Sequence, residues 1–467
     1  MTADPVLIER LALGGDAVAR LPSVEPGRPG RVVFVPYGAP GDRVVLSSVR
    51  QENSFSRGWI GEVRDPSPQR VTPRCPLFFQ PGRAPGDVCG GCDWQHLSGE
   101  TQAAAKRSLL IETLQRIGKI AKPNVEETVS PDSPDGRWRY RNKGLVPFAR
   151  DASGKLVAGF YAPGSHTVVP FDACPVQNDR FDATVRAARD WFAERDAPIY
   201  DHRTDTGWLR HLLVRTASTG ETLVAPVTTS AKGLDLLAFA HDLRKACPFV
   251  TSVFHNVNDR SGNAVLGPRW KRLAGKPHLD ETLSGLRFRL SPGAFFQINQ
   301  PMAEKLYALA VEMAAPGPSD VVWELYAGVG AMGQLLAQKA KSVWAVEENA
   351  QAVRDGIESL ALNGISNVRF RQGRCELVLG RSLVRDKPNV VLLDPPRAGC
   401  DKSVLKAVMR AGPRRIVYVS CDPGTLARDA HYLSTGGYHL KRSVPVDLFP
   451  QTAHIESATL FERGNAR

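Results

Sequence analysis

The chain has 467 residues, 42% of them hydrophobic, with 60 Lys and Arg against 48 Asp and Glu and a net charge of +12. That length exceeds one ordinary core and implies roughly two to four domains, while no uninterrupted apolar run is long enough to span a membrane. The opening residues Met1-Thr2-Ala3-Asp4-Pro5 lack a basic stretch followed by an apolar one, so no signal peptide is read and a soluble, cytoplasmic protein is expected.

Residues 1–65 read as all-β. Gly14-Gly15-Asp16 is a turn, and Arg31–Pro36, Asp42–Leu46 and Trp59–Val63 are short strands punctuated by Gly and Pro. Short strands at this spacing suggest an OB-like barrel, an architecture that often binds nucleic acid. Asp65-Pro66-Ser67-Pro68 is a linker. Residues 66–290 form a central mixed α/β region. Gln102 to Lys119 has helical spacing, with Leu110, Leu114 and Ile117 on the apolar face. Strand-like runs follow, among them Leu212–Arg215 and Thr222–Ala225 around a Ser218-Thr219-Gly220 turn.

From residue 291 to 467 the pattern is βαβ. Val321–Leu325 is a strand, Gly328-Val329-Gly330 a turn, Ala331 to Lys341 a helix and Ser342–Glu347 the next strand. Val390–Asp394 and Ile416–Ser420 are later strands. The predicted fold is therefore multidomain α/β, ending in a doubly wound, Rossmann-like sheet.

The positive surplus suits a polyanionic partner, most often nucleic acid. Its cations recur in clusters with aromatic neighbours: Arg137, Arg139, Arg141 and Lys143 with Trp138 and Tyr140; Arg203, Arg210 and Arg215 with Trp208; Arg269, Lys271 and Arg272 with Trp270. Such interleaving fits single-stranded RNA, whose phosphates meet cations and whose unstacked bases meet rings.

The turn Tyr326-Ala327-Gly328-Val329-Gly330 sits between a strand and a helix, where glycines let the backbone approach a ligand. Glu347 ends the next strand, placed to bind two ribose hydroxyls. Gly328, Gly330 and Gly333 also satisfy the dinucleotide fingerprint, so NAD and S-adenosylmethionine both stay open at this turn. Asp394-Pro395-Pro396-Arg397 ends a later strand, and its prolines stiffen a loop that holds Asp394 near cofactor and substrate. Cys421 ends the run Ile416–Ser420 at the strand edge where open α/β sheets bind ligands; alone it could be a small buried hydrophobe. Glu456 precedes the last strand. A thiolate adding to carbon 6 of uracil makes carbon 5 nucleophilic toward a methyl sulfonium, and a carboxylate can then take the carbon 5 proton. Hydride transfer has no evident use for that pair, which favours S-adenosylmethionine.

Eight cysteines in a cytoplasmic chain argue against a disulfide framework. Cys75, Cys89, Cys92 and Cys174, with a Cys89-Gly90-Gly91-Cys92 core, suit a [4Fe–4S] cluster or zinc, and spacing does not choose between them. The C-x-x-x-C-x-x-C run of radical enzymes is absent.

Together these motifs resemble the RNA uracil-5 methyltransferases, which make 5-methyluridine in transfer RNA and large-subunit ribosomal RNA. The likeness covers nearly the whole chain. It implies a TRAM barrel over residues 1–65, [4Fe–4S] ligation by Cys75, Cys89, Cys92 and Cys174, and a catalytic domain opened by Ser291-Pro292-Gly293-Ala294-Phe295-Phe296-Gln297-Ile298-Asn299. Gln297, Tyr326, Gly328, Glu347 and Asp394 would bind S-adenosylmethionine, Cys421 would be the nucleophile and Glu456 the base. The implied partner is structured RNA, ribosomal RNA before transfer RNA, with the target base flipped out and the protein a monomer. Three departures stand out: a long gap from Cys75 to Cys89, Ala331 where relatives often carry a polar residue, and Arg374 where an Asp or Asn often meets the cofactor. An amino-group methyltransferase, which needs no thiol, and an RNA-binding module with a vestigial cofactor fold are the competing classes.

Overall fold

In the computed structural model, residues 4–23, 28–262, 264–381 and 387–464 are described; residues 1–3, read above for a leader, lie outside them. Strands β1 (Val6–Leu11), β2 (Ala17–Arg20), β3 (Val32–Val35), β4 (Arg43–Gln51) and β5 (Ser56–Asp65) close into a barrel in the order β1-β2-β3-β5-β4. Alternation fills its interior: Val6, Ile8 and Leu11 point in from β1, and Val33 and Val35 from β3. Phe78, Phe79, Trp94 and Leu97 from the following segment join the same core, so the cysteine-bearing loops are packed onto the barrel.

Helix α1 (Gly99–Arg116) starts three residues before the predicted start and ends three before the predicted end, capped by the Ser98 hydroxyl. Leu110 and Leu114 are buried as expected, whereas Ile117 lies beyond the helix and is exposed. Unexpectedly, the same face of the helix also buries the polar Gln102, Lys106 and Thr113. Thr113 donates to the Leu109 carbonyl within the helix at 2.6 Å, whereas Gln102 and Lys106 hold a distant loop.

The central region is one sheet, β6 (Lys143–Arg150), β7 (Leu156–Tyr161), β8 (Val168–Pro170), β9 (Leu209–Thr216), β10 (Thr222–Thr228), β11 (Val250–Val257) and β12 (Arg269–Gly275), ordered β12-β11-β10-β9-β6-β7-β8. Helices α2 (Asp179–Glu194) and α3 (Leu236–Ala246) bury Phe181, Trp191, Phe192 and Phe239 against it. The cationic clusters divide here. Arg269, Lys271 and Arg272 on edge strand β12 are exposed, but Arg215 is fully buried and donates to the Ala294 carbonyl at 2.9 Å. Arg210 and Trp208 are buried as well, so part of the interleaved pattern is scaffold.

A hairpin, β13 (Leu279–Leu283) and β14 (Leu286–Leu290), packs on the catalytic unit and leads to α4 (Gln300–Ala314). The last sheet holds β15 (Val321–Leu325), β16 (Ser342–Glu347), β17 (Val368–Gln372), β18 (Val390–Leu393), β19 (Arg415–Ser420), β20 (Tyr438–Val446) and β21 (Glu456–Arg463), in the order β17-β16-β15-β18-β19-β21-β20. β17 to β19 run parallel across the sheet, and β21 is antiparallel to both β19 and β20. Helices α5 (Ala331–Ala337), α6 (Ala350–Asn363), α7 (Cys375–Arg381), α8 (Lys402–Ala411) and α9 (Pro423–Thr435) connect the strands. Both faces are covered, as a parallel sheet requires. Val322, Val343, Leu392 and Val417 pack with α4, α5 and α6, while Trp323, Trp344, Val391 and Tyr418 pack with α8 and α9. Leu110 and Leu114 of α1 share that second core, so the N-terminal helix is part of the catalytic unit's packing. The helix after the glycine turn is shorter than expected, ending at Ala337 rather than Lys341.

Candidate active site

The carboxyl ends of β15, β16 and β18 surround a cavity of about 910 Å³. Gln297, Tyr326, Gly328, Glu347 and Asp394 all line it, together with Cys421 and Glu456. The wall is built by the turn after β15, where Tyr326, Gly328 and Gly330 all take positive φ, of 63°, 55° and 71°. A Cβ on Gly330 would also stand 2.7 Å from the Phe370 ring, so only glycine closes this turn without strain. Glu347 is pinned across the mouth: its two carboxylate oxygens accept the Gly328 and Asn349 amides at 2.8 and 2.7 Å.

The lining is acidic. Glu324, Glu347, Glu348, Glu376, Asp394 and Glu456 all face it. Burial pushes Glu324 up to about 8 and Asp394 up to about 7. Burial, then the Asp394 charge, holds Glu456 well above the usual carboxylate range. Both Glu324 oxygens and the Tyr326 hydroxyl are buried without a hydrogen-bond partner. Orphaned acceptors in a cavity of this charge suit a cationic ligand with donor groups.

Cys421 and Glu456 meet because of strand register. The last β19–β21 pair is Ser420 opposite Ser457, and the next residue on each side is Cys421 and Glu456. Cys421 is half-buried; burial first, then the Glu456 and Asp394 charges, push its thiol up to about 11, with Arg397 opposing. Arg397 donates to His454 Nδ1 at 2.9 Å, and burial with that guanidinium lowers His454 to about 4, keeping the ring neutral.

A second cavity, about 780 Å³, opens on the other side of Cys421. Its lining includes Arg141, Lys143 and Gln177. Arg141, Ile298, Arg397, Cys421 and His454 border both cavities, so the thiol stands in the partition between them. Cys75, Cys89, Cys92 and Cys174 line the far end of this second cavity. Burial raises all four thiols, Cys89 to about 12, and each of Cys89, Cys92 and Cys174 is raised further by the charge of its neighbouring thiols. Among the described residues, no group of three or more His, Cys, Asp or Glu side chains is placed to hold a metal ion.

Residues 276–464 match the tRNA (uracil-5-)-methyltransferase family. An uncharacterised RNA methyltransferase of Halalkalibacterium halodurans is 35% identical over 98% of this chain and 97% of its own. Another, from Gloeobacter violaceus, is 37% identical over 98% and 96%. The chain belongs to the RNA uracil-5 methyltransferase family. A crystal structure of Pyrococcus abyssi tRNA (uracil-54, C5)-methyltransferase in complex with S-adenosyl-L-homocysteine shares its fold, with a TM-score of 0.73, 22% identity and coverage of 98% of this chain and 100% of the other.

As an S-adenosylmethionine-dependent RNA methyltransferase, the enzyme needs a pocket for a sulfonium and an ammonium, and the acidic cavity has that character. Glu324 is the lining residue that the sequence reading passed over. A lone acid in an otherwise apolar strand, Val321-Val322-Trp323-Glu324-Leu325, directly before the glycine turn, was its available signal. Tyr307, on α4 and also in the lining, carried none, because it sits in an ordinary apolar helix stripe. No helix among the described residues is long and apolar enough to cross a membrane.

Proposed function

We propose that the methyltransferase modifies carbon 5 of a uridine in structured RNA through a covalent adduct at carbon 6. The observation that carries this is the β19–β21 register, which brings a thiol in the partition between an acidic cavity and a more basic one next in line to a buried carboxyl that lines the acidic one. S-adenosylmethionine, when bound, supplies an electrophilic methyl group; Gln297, Tyr326, Gly328, Glu347 and Asp394 would hold it, and the buried Glu324 carboxyl lines the same cavity.

The uracil enters from the side of Arg141 and Lys143, whose charges suit a phosphate backbone. With the thiol proton lost to solvent, the Cys421 sulfur bonds to carbon 6 as the 5,6 double bond opens, and the displaced electron pair makes carbon 5 an enolate carbon. Once carbon 5 carries the methyl group, Glu456 takes the remaining carbon 5 proton, the 5,6 double bond re-forms and the carbon–sulfur bond breaks. A base whose proton affinity is raised by burial suits that removal.

The four thiols fit a [4Fe–4S] cluster in a structural role. They line one cavity, and four thiols are the donor set such a cluster takes, with zinc as the alternative occupant. The barrel and central sheet hold the RNA, with the exposed β12 cations as one contact surface. Barrel and cluster together favour large-subunit ribosomal RNA; the match to the tRNA (uracil-5-)-methyltransferase family and the likeness to the Pyrococcus tRNA (uracil-54, C5)-methyltransferase favour transfer RNA as the second reading.

The test is a pair of variants. Cys421→Ala should abolish turnover, and substantial remaining activity would sink the covalent route in favour of an amino-group methyltransferase. Glu456→Gln should accumulate an RNA adduct on denaturing gels. Mapping 5-methyluridine in ribosomal and transfer RNA incubated with the enzyme decides between the two RNA classes.

A further inference from the structure

The loop from Asp447 to Ile455 joins β20 to β21 and ends at Glu456. Residues of the segment that carries Cys92 hold it at nearly every step. Lys106 Nζ donates to Asp447 Oδ1 at 2.6 Å and to the Phe449 carbonyl at 3.1 Å. Arg137 reaches the other Asp447 oxygen at 3.0 Å, and the Tyr140 hydroxyl donates to the Pro450 carbonyl at 2.9 Å. The Asp93 and Trp94 amides both donate to the Gln451 carbonyl at 3.0 Å. Gln102 accepts the Gln451 amide at 2.9 Å and donates to the Gln451 side chain at 3.0 Å. The Ala453 amide donates to Asp93 Oδ2 at 3.1 Å. Gln451 itself takes φ 70°, a conformation that these contacts impose.

The barrel presses on the same point. Trp94 Nε1 donates to the Gly15 carbonyl at 3.0 Å, and a Cβ on Gly15 would stand 3.1 Å from the side chains of both Asp93 and Ala453. Cys421 is held differently, at the end of β19 between its neighbours β18 and β21. The sheet alone holds Cys421, whereas Glu456 is held both by the sheet, where it pairs with Val446 at the start of β21, and by the clamped loop that leads into it.

We propose that Asp93 and Gln102 are positioning residues for Glu456, setting where its carboxylate stands without setting the place of Cys421. This rests on the reading of Glu456 as the base. The last clamped amide, Ala453, is three residues from Glu456, at most about 10 Å of chain, so a shift at the clamp reaches the carboxylate against the single pairing of Glu456 with Val446. A displacement of about 1 Å at a reacting group can cost about a hundredfold in rate.

The prediction is a split between steps. With Asp93→Ala, methyl incorporation in a single turnover, KM for RNA and S-adenosylmethionine affinity by calorimetry should stay within about twofold of the parent. Steady-state turnover should fall tenfold or more, and the RNA adduct should accumulate on denaturing gels. Asp93→Asn keeps an oxygen acceptor for the Ala453 amide and should restore release. Gln102→Ala, which leaves Asp93 in place, should show the same split and serves if Asp93→Ala does not fold. If Glu456→Gln accumulates adduct but neither clamp variant does, the positioning role is overturned and the base reading stands. If single-turnover methylation falls in step with turnover, the clamp is general scaffold and the inference is overturned as well. If Glu456→Gln itself accumulates no adduct, the base reading falls and takes this inference with it.

Discussion

The Cys421 thiol should be protonated in the free enzyme, and this can be measured directly. Burial, Glu456 and Asp394 together push the Cys421 thiol up to about 11. At about pH 8 the thiolate fraction is then about one in a thousand, against roughly one in four for an ordinary thiol of pKa about 8.5. Alkylation by iodoacetamide should therefore rise about tenfold per pH unit from about pH 7 to about pH 10 without levelling off. Peptide mass spectrometry separates Cys421 from the other seven cysteines. Among neighbouring charges, Glu456 opposes the thiolate most, so Glu456→Gln should move the curve to lower pH. Arg397 favours the thiolate, so Arg397→Gln should move it higher. A plateau below about pH 9, or a Glu456→Gln curve displaced to higher pH, would refute the electrostatics assigned to this corner.

Other perturbations probe the frame around it. Lys106 and Asp447 are both fully buried, so Lys106→Met should destabilise the protein by about 3 kcal/mol, the low end for a broken buried pair because Arg137 still reaches Asp447; thermal unfolding checks this. Gly330→Ala places a side chain at φ 71° against Phe370 and should cost about 1–3 kcal/mol and lower S-adenosylmethionine affinity at least tenfold by calorimetry. Protein purified without oxygen should carry iron and acid-labile sulfide, and Cys92→Ala should lose both; iron-free parent protein would remove the cluster from the account.

The lining of the candidate site could be located from sequence because its residues sit where strand ends meet loops. Glycines of positive φ, an acid closing the next strand, and a thiol closing a buried one are local signals, and Glu347, Asp394 and Cys421 fall at the ends of β16, β18 and β19. Glu456 was harder, since its partner is set by antiparallel register and not by any nearby residue. The clamp was unreadable for the same reason carried further. Gln102 and Lys106 are polar residues on the stripe that carries Leu110 and Leu114, and partners about 350 residues on complete the satisfaction of their buried groups. Arg215 and Trp208 misled in the opposite sense, because a cation beside a ring reads as RNA contact whether it faces solvent or, as here, the interior.

The Lys106–Asp447 pair also bears on how the protein is made. The ammonium and its carboxylate are 341 residues apart, and the Asp93–Ala453 contact spans 360. At ribosomal speeds of roughly 5–20 residues per second, the barrel and the cysteine loops wait about 20–70 s for the segment that completes them. Throughout that interval Lys106 has Asp93 and the Trp94 ring near it but not Asp447, and the loop that leads to Glu456 has not been made. A nascent chain with its barrel already folded can meet RNA before that corner of the catalytic sheet exists.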